Sequence, residues 1–289
     1  MGSIAPPFST IAIAGLGLIG GSLALAIRRH LPGVRLLAWD REDVLRRGLE
    51  LGAVDEGSDG PWVLERADLI VLAAPVRANV QLLLDISRYV TRPVVVTDVG
   101  STKSEILEVA RTLPESVRFV GGHPLAGAAA GGIDAARPEI FEGCKWIFTT
   151  PADAAALDAV EELVTALGAM PVRLPAAAHD PLLAYTSHLP QLAISALMHV
   201  AGEHARQDGL ALAGPGLRDS TRLALSPPEI WRDIAASNAP AIREALDRTI
   251  AALQEIRNGL DDGGGLKRIF DSAAEWKRVL DASDPRPKL

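Results

Sequence analysis

The string Gly121-Gly122-His123-Pro124-Leu125-Ala126-Gly127 sets a histidine among glycines, with a proline fixing the backbone behind it. An imidazole titrates near neutrality, so one held in place suits proton transfer to or from a substrate. The same string also suits a loop histidine satisfied by backbone. Upstream, Asp98-Val99-Gly100-Ser101-Thr102-Lys103 closes an apolar run. Ser101 could face a ligand, cap the following helix, or do both. Downstream stand Ser187-His188-Leu189-Pro190-Gln191 and then Arg218-Asp219-Ser220-Thr221-Arg222. Taken alone, Arg222 reads as an i, i+3 surface pair with Asp219, worth only ~0.2–0.5 kcal/mol. His188 either lines a cleft or packs on a neighbour, and His30 and His179 read as surface or loop residues. His199 and His204 lie on different faces of a helix, and no H-E-x-x-H or cysteine–histidine cluster is present, so no metal is expected.

A second chemical signal is Gly15-Leu16-Gly17-Leu18-Ile19-Gly20, a G-x-G-x-x-G string. With 26 glycines in 289 residues the string alone is weak, and its context decides. It follows an apolar run directly and opens a helical one. In that setting Gly15 permits a tight turn, Gly17 lets a pyrophosphate approach the backbone, and Gly20 lets helix and strand pack closely. The helix start at Leu18 and Ile19 offers free N–H groups and a positive dipole end to phosphate. Asp40, twenty residues beyond Gly20, could accept both ribose hydroxyls. A 2′-phosphate would meet like charge there, which favours NAD over NADP, although Arg41 tempers the point. Ala74 and Pro75, after the third apolar run, leave room for the bridge of the dinucleotide. Gly100 lies at the same sheet edge.

These residues need a sheet to carry them. Ile11–Ala14, Arg35–Trp39, Leu69–Ala73, Val94–Thr97, Phe119–Gly121, Trp146–Thr149 and Val172–Leu174 read as strands. Most are continuous apolar runs, as in parallel strands covered on both faces. Helices at Leu18–His30, Val44–Leu51, Val76–Tyr89, Ser104–Thr112 and Ala154–Leu167 alternate with them, which predicts a doubly wound, mostly parallel Rossmann-type α/β domain over 9–175. Beyond Pro175 no strand-like run survives. Helices at Leu189–Glu203, Leu217–Ala224, Pro228–Ser237, Ala239–Leu260 and Leu266–Leu280 predict an all-helical second domain over 176–289. Ile242, Leu246, Ile250, Leu253 and Ile256 form an apolar stripe that needs a partner helix, so a homodimer is expected.

Composition narrows the class. The chain of 289 residues is 48% hydrophobic with a net charge of −7 and 4% aromatics, which argues against a nucleic-acid or anionic-membrane binder. The uncharged run Ile11–Ile27 is close to membrane-span length, but its glycines at 15, 17, 20 and 21 suit a turn better. A single cysteine, Cys144, fits a reducing cytoplasm and reads as a buried thiol.

Together the strings GLGLIGGSLA, DVGSTK, GGHPLAG, SHLP, LRDSTRLA and SPPEIW, in this order from about Thr10 to Leu280, resemble the prephenate/arogenate dehydrogenase family of tyrosine biosynthesis. The resemblance implies oxidative decarboxylation of prephenate or arogenate, with hydride passing to NAD. It implies that His123 takes the 4-hydroxyl proton, that Ser101 hydrogen-bonds that hydroxyl or orients His123, and that Arg222 binds a carboxylate. The chain looks like a monofunctional member. Two places depart from the common pattern: Ala128-Ala129 replace Thr-Glu, removing an acidic residue at the pocket entrance, and Gln191 replaces a second histidine. Both lean towards arogenate or dual use. The competing readings are action on 4-amino-4-deoxyprephenate, action on a 3-hydroxy acid, or an NAD-responsive regulator. The 3-hydroxy-acid reading wants a lysine in the helical part, where Lys267, Lys277 and Lys288 all fall near the end.

Overall fold

A computed structural model describes residues 6–127, 130–261 and 263–283. Strands β1 (Thr10–Ala14), β2 (Arg35–Trp39), β3 (Glu56–Ser58), β4 (Leu69–Leu72), β5 (Val94–Asp98) and β6 (Val117–Val120) form one sheet in the order β3-β2-β1-β4-β5-β6. Every pairing in it is parallel. Helices α1 (Leu18–His30), α2 (Glu42–Glu50), α3 (Val76–Tyr89), α4 (Ser104–Ala110) and α5 (Ala154–Ala166) connect or flank the strands. Alternation within the apolar runs explains their continuity. Ile11 and Ile13 join Leu23 and Ile27 of α1 in one core, while Ala12 and Ala14 join Leu83 and Ile86 of α3 in the other. Both faces are covered, so no polar face is called for.

The strand order reverses between β1 and β4, the point where this fold class binds ligands beyond the strand ends. Beyond β6 the chain leaves the sheet. A short strand β7 (Gly122–Pro124) pairs antiparallel with β8 (Lys145–Thr150), which pairs parallel with β9 (Met170–Pro175). His123 therefore sits on a strand opposite Ile147, not on a loop. Trp146, stacked on Phe148 with centroids 6.3 Å apart and lying 5.3 Å from Phe141, anchors β8 and hence β7.

Helix begins earlier after β9 than the sequence suggests. α6 (Ala176–Leu183) runs through a π turn at Ala184–His188 into α7 (Leu189–Ala211). Pro181 breaks the periodicity that would have revealed α6. The widened turn falls ahead of Pro190, whose ring cannot fit against the carbonyl four residues back. Then follow α8 (Pro215–Ser220), a 3-10 turn at Arg222–Leu225, α9 (Pro228–Ser237), α10 (Ala239–Asn258) and α11 (Gly264–Ala282). Gly264 and Gly265 lie inside α11, which thus begins ahead of the Leu266 start that the sequence predicts.

Residues Met1–Ala239 form one compact unit and Pro240–Leu289 a second. In the second, Arg268 of α11 pairs with Glu255 of α10, while Leu253, Phe270 and Trp276 are each about 60–70% exposed in the single chain. No described helix is long and apolar enough to cross a membrane.

Candidate active site

Backbone geometry at the switch point comes first. Gly15 has φ +103°, and a Cβ there would stand 2.7 Å from the backbone of Ala73. A Cβ on Gly20 would stand 1.9 Å from the Gly15 carbonyl oxygen, whereas one on Gly17 would meet nothing within 4 Å. The α1 start has no side-chain cap, so its N–H groups stay available to an anion. Asp40 accepts from Leu16 N (2.6 Å) and Arg41 N (2.7 Å), which ties the end of β2 to the glycine turn. Asn79, unnoticed in the sequence, holds the turn after β4: its Oδ1 accepts from Ala74 N (3.0 Å) and its Nδ2 donates to the Leu72 carbonyl (3.1 Å).

Two cavities open on this edge. One, of about 680 Å³, is lined by Gly15, Gly17, Asp40, Ala74 and Pro75 among others. The other, of about 390 Å³, is lined by Gly17, Leu18, Ile19, Ala74, Pro75, Gly100 and Ser101, and is closed by Pro227–Ile234 residues at α9. The sharing of Gly17 and Ala73–Pro75, together with open space at Gly17 and uncapped N–H groups, fits a dinucleotide draped over the turn. His123, His188, Gln191 and Arg222 do not line either cavity.

A buried polar network joins the remaining motifs. The Asp98 carboxylate accepts from Gly100 N (2.8 Å), Gly122 N (3.1 Å) and the Lys103 ammonium (2.5 Å), so one group sets the Ser101 turn beside the His123 strand. Lys103 is wholly buried. Ser101 does not cap α4, which begins at Ser104; Asp180 caps it from α6, accepting from Lys103 N and Ser104 N at 2.8 Å each. Asp180 also accepts from Ser104 Oγ (2.5 Å) and His179 Nδ1 (2.7 Å). Burial raises its pKa, but the hydrogen bonds from His179, Ser104 and Lys103 outweigh that and hold the carboxyl well below the usual carboxylate range.

His179 is thus fully buried, not a surface or loop residue, and its Nε2 lies 3.0 Å from His123 Nδ1. Burial, then the Lys103 charge, pushes the His123 pKa well below 6.5. His188 is also buried, edge-on to Trp231 at 6.1 Å, with Nδ1 3.2 Å from Asn238 Nδ2 and no partner for Nε2 among the described residues. Burial pushes its pKa down to about 4. Gln191 is turned inward: its amide donates to the Leu223 carbonyl (2.8 Å) and Ser195 Oγ (3.2 Å) and accepts from Ser226 Oγ (3.0 Å). It thereby pins the turn that begins at Arg222. Arg222 itself is exposed, and it makes no pair with Asp219. Ala129 lies outside the described residues. Cys144 is half-buried, its thiol pushed up to about 11 by burial.

Besides Asn79, the site residues that sequence reading missed are His179, Asp180, Lys103 and Asn238. The adjacent His179-Asp180 pair was the available signal, an acid beside an imidazole.

A glycine turn at the switch point of a doubly wound sheet, with open space over Gly17, defines a dinucleotide-binding α/β protein. Residues 23–173 match the family model described as the nucleotide-binding domain of prephenate dehydrogenase, and residues 175–270 match that of its dimerization domain. Prephenate dehydrogenase of Bacillus subtilis (strain 168) is 33% identical over 281 residues, which cover 94% of this chain and 76% of the relative. Cyclohexadienyl dehydrogenase of Zymomonas mobilis is 33% identical, with 97% and 99% covered. The crystal structure of prephenate dehydrogenase from A. aeolicus, in complex with hydroxyphenyl propionate and NAD+, is 25% identical with a TM-score of 0.82, covering 97% of this chain and 98% of that one. The chain belongs to the prephenate dehydrogenase family.

Gly20→Ala tests the turn. The added methyl must displace the Gly15 carbonyl, which costs about 1–3 kcal/mol of stability or more. A fluorescence titration is expected to show weakened NADH binding together with a lower melting temperature. Wild-type values in both would mean that the close approach is dispensable.

Proposed function

We propose that the chain is an NAD-dependent dehydrogenase that oxidatively decarboxylates prephenate, arogenate or both, giving 4-hydroxyphenylpyruvate or tyrosine. Residues 9–175 bind the dinucleotide; residues 176–289 contribute to substrate binding and dimerisation. The observation that carries this reading is the His123 imidazole: its Nδ1 is tied to His179, while no hydrogen bond engages its Nε2 among the described residues. With Asp180 ionised, His179 Nδ1 donates to it, so a neutral His179 accepts at Nε2 and His123 Nδ1 donates. His123 Nε2 then holds a lone pair, the form required to take a hydroxyl proton.

Bound NAD supplies the hydride acceptor. His123 takes the 4-hydroxyl proton as hydride leaves C4 and CO2 leaves C1, and aromatisation of the ring drives the step. Ser101, on the turn held by Asp98, hydrogen-bonds the same hydroxyl or orients His123. Arg222, on the turn pinned by Gln191, binds a substrate carboxylate, and His188, edge-on to Trp231, contributes to substrate binding. Gln191, in place of a histidine, brings no positive charge against the ammonium of arogenate, which supports use of arogenate or of both substrates. The exposed apolar faces of α10 and α11 support a homodimer. The test is NADH formation by purified protein with prephenate, arogenate and 4-amino-4-deoxyprephenate. Reduction with either of the first two supports the reading, and none with both overturns it.

Arg222→Ala is expected to raise substrate KM about 10–100-fold, the worth of a charge-assisted contact of about 1.5–3 kcal/mol, with little change in kcat. An unchanged KM would return Arg222 to the surface. Asp40→Asn removes the charge that disfavours a 2′-phosphate. It is expected to shift the ratio of kcat/KM for NADP over NAD upward by about tenfold. An unaltered ratio would remove Asp40 from cofactor selection.

A further inference from the structure

His123 stands where holding a positive charge is costly. It is 6% exposed, and the Lys103, His179 and His188 charges add to burial in disfavouring the cation, while Asp180 favours it. A base in that position takes a proton readily only if the charge can move on. The path exists: His123 Nδ1 to His179 Nε2 is 3.0 Å, and His179 Nδ1 to Asp180 Oδ1 is 2.7 Å. Asp180 is kept an anion at the end of this path by the donors of Lys103 and Ser104.

We propose that His179 and Asp180 form a proton relay behind His123, so that the charge generated in the reaction settles on His179 beside the Asp180 carboxylate. The relay rests on the reading of His123 as the base. In the step, the substrate hydroxyl proton bonds to His123 Nε2 while the proton on His123 Nδ1 passes to His179 Nε2. Hydride leaves C4 for the bound dinucleotide, and the electron pair of the breaking bond to CO2 enters the ring. His123 ends neutral in its other tautomer, and His179 ends as an imidazolium that donates to Asp180. Aromatisation leaves the ring oxygen as a phenolate; the transfers then reverse, and the proton returns from His123 Nε2 to that oxygen, giving the phenol. Asp98 keeps Lys103 paired.

His179→Gln isolates the relay. Its amide can accept from His123 Nδ1 and donate to Asp180, yet it cannot carry a proton onward. In single-turnover NADH formation the hydride-transfer rate is expected to fall at least about tenfold, with substrate KM and NADH affinity unchanged. The dependence of that rate on the fraction of D2O should change from curved, for two moving protons, to linear, for one. A wild-type rate with a curved dependence in the variant overturns the relay. A second measurement needs no variant: 15N NMR of the histidines in the wild-type holoenzyme should find His123 and His179 both protonated at Nδ1. His123 protonated at Nε2 before substrate binds would overturn the relay. If wild-type protein reduces NAD with neither prephenate nor arogenate, the parent reading fails. If wild-type protein reduces NAD with either substrate and His179→Gln does so at an equal rate, the relay alone fails.

Discussion

His123→Asn is expected to lower kcat by about 10²–10⁴-fold, the usual worth of a positioned general base. The asparagine amide keeps a donor for His179 but has no basic nitrogen for the substrate hydroxyl. Because His123 lines neither cavity at the glycine turn, NADH affinity should be unchanged within about twofold in the same fluorescence titration, as for any side chain off the binding surface. The wild-type pH profile carries a second signature. The active form is the neutral imidazole, and burial with the Lys103 charge holds the folded pKa well below 6.5. Activity is therefore retained as pH falls through 6.5 and is lost only lower, where His123 protonates. In kcat/KM the acid limb is expected below pH 6.5 and should disappear in the variant. Turnover equal to wild type would remove His123 from the chemistry.

Lys103→Met is expected to destabilise the protein by about 3–5 kcal/mol, the cost of leaving one partner of a buried ion pair alone. Lys103 and Asp98 are 0% and 1% exposed, so water cannot replace the lost ammonium. The orphaned carboxylate would retain only the N–H groups of Gly100 and Gly122. Those groups fix the turn carrying Ser101 and the strand carrying His123, so activity should fall along with stability. Adding Asp98→Asn to Lys103→Met should recover part of the loss, because the uncompensated charge is gone while a hydrogen-bonding oxygen remains. Denaturant unfolding of the two variants measures both effects. A loss below about 1 kcal/mol, the worth of an exposed pair, would contradict the buried-pair account.

Much of the scaffold is legible along the chain. Helix α3 falls over Val76–Tyr89, the span its apolar spacing predicts, and β2 over Arg35–Trp39. β3 and β7 escape, since three residues are too few to show a period and Gly122 has no side chain to contribute. Helix α6 escapes because Pro181 interrupts an alanine-rich run. In the site, the glycine turn is readable because its demands are local: Gly15 and Gly20 answer to atoms within one strand-turn-helix unit and the neighbouring strand end.

What the amino-acid order determined by itself was the alternation of strand and helix, the glycine turn at the switch point, and the motif strings that mark the family. Each depends on backbone preference or on apolar spacing over a few residues. Tertiary structure alone decided which charged and polar groups meet. His123 finds His179 across 56 positions and Lys103 N finds Asp180 across 77. No local preference encodes such a meeting: an aspartate or histidine has the same propensities whether it ends in water or against a buried partner. The energy that distinguishes the two cases exists only once packing has removed the water.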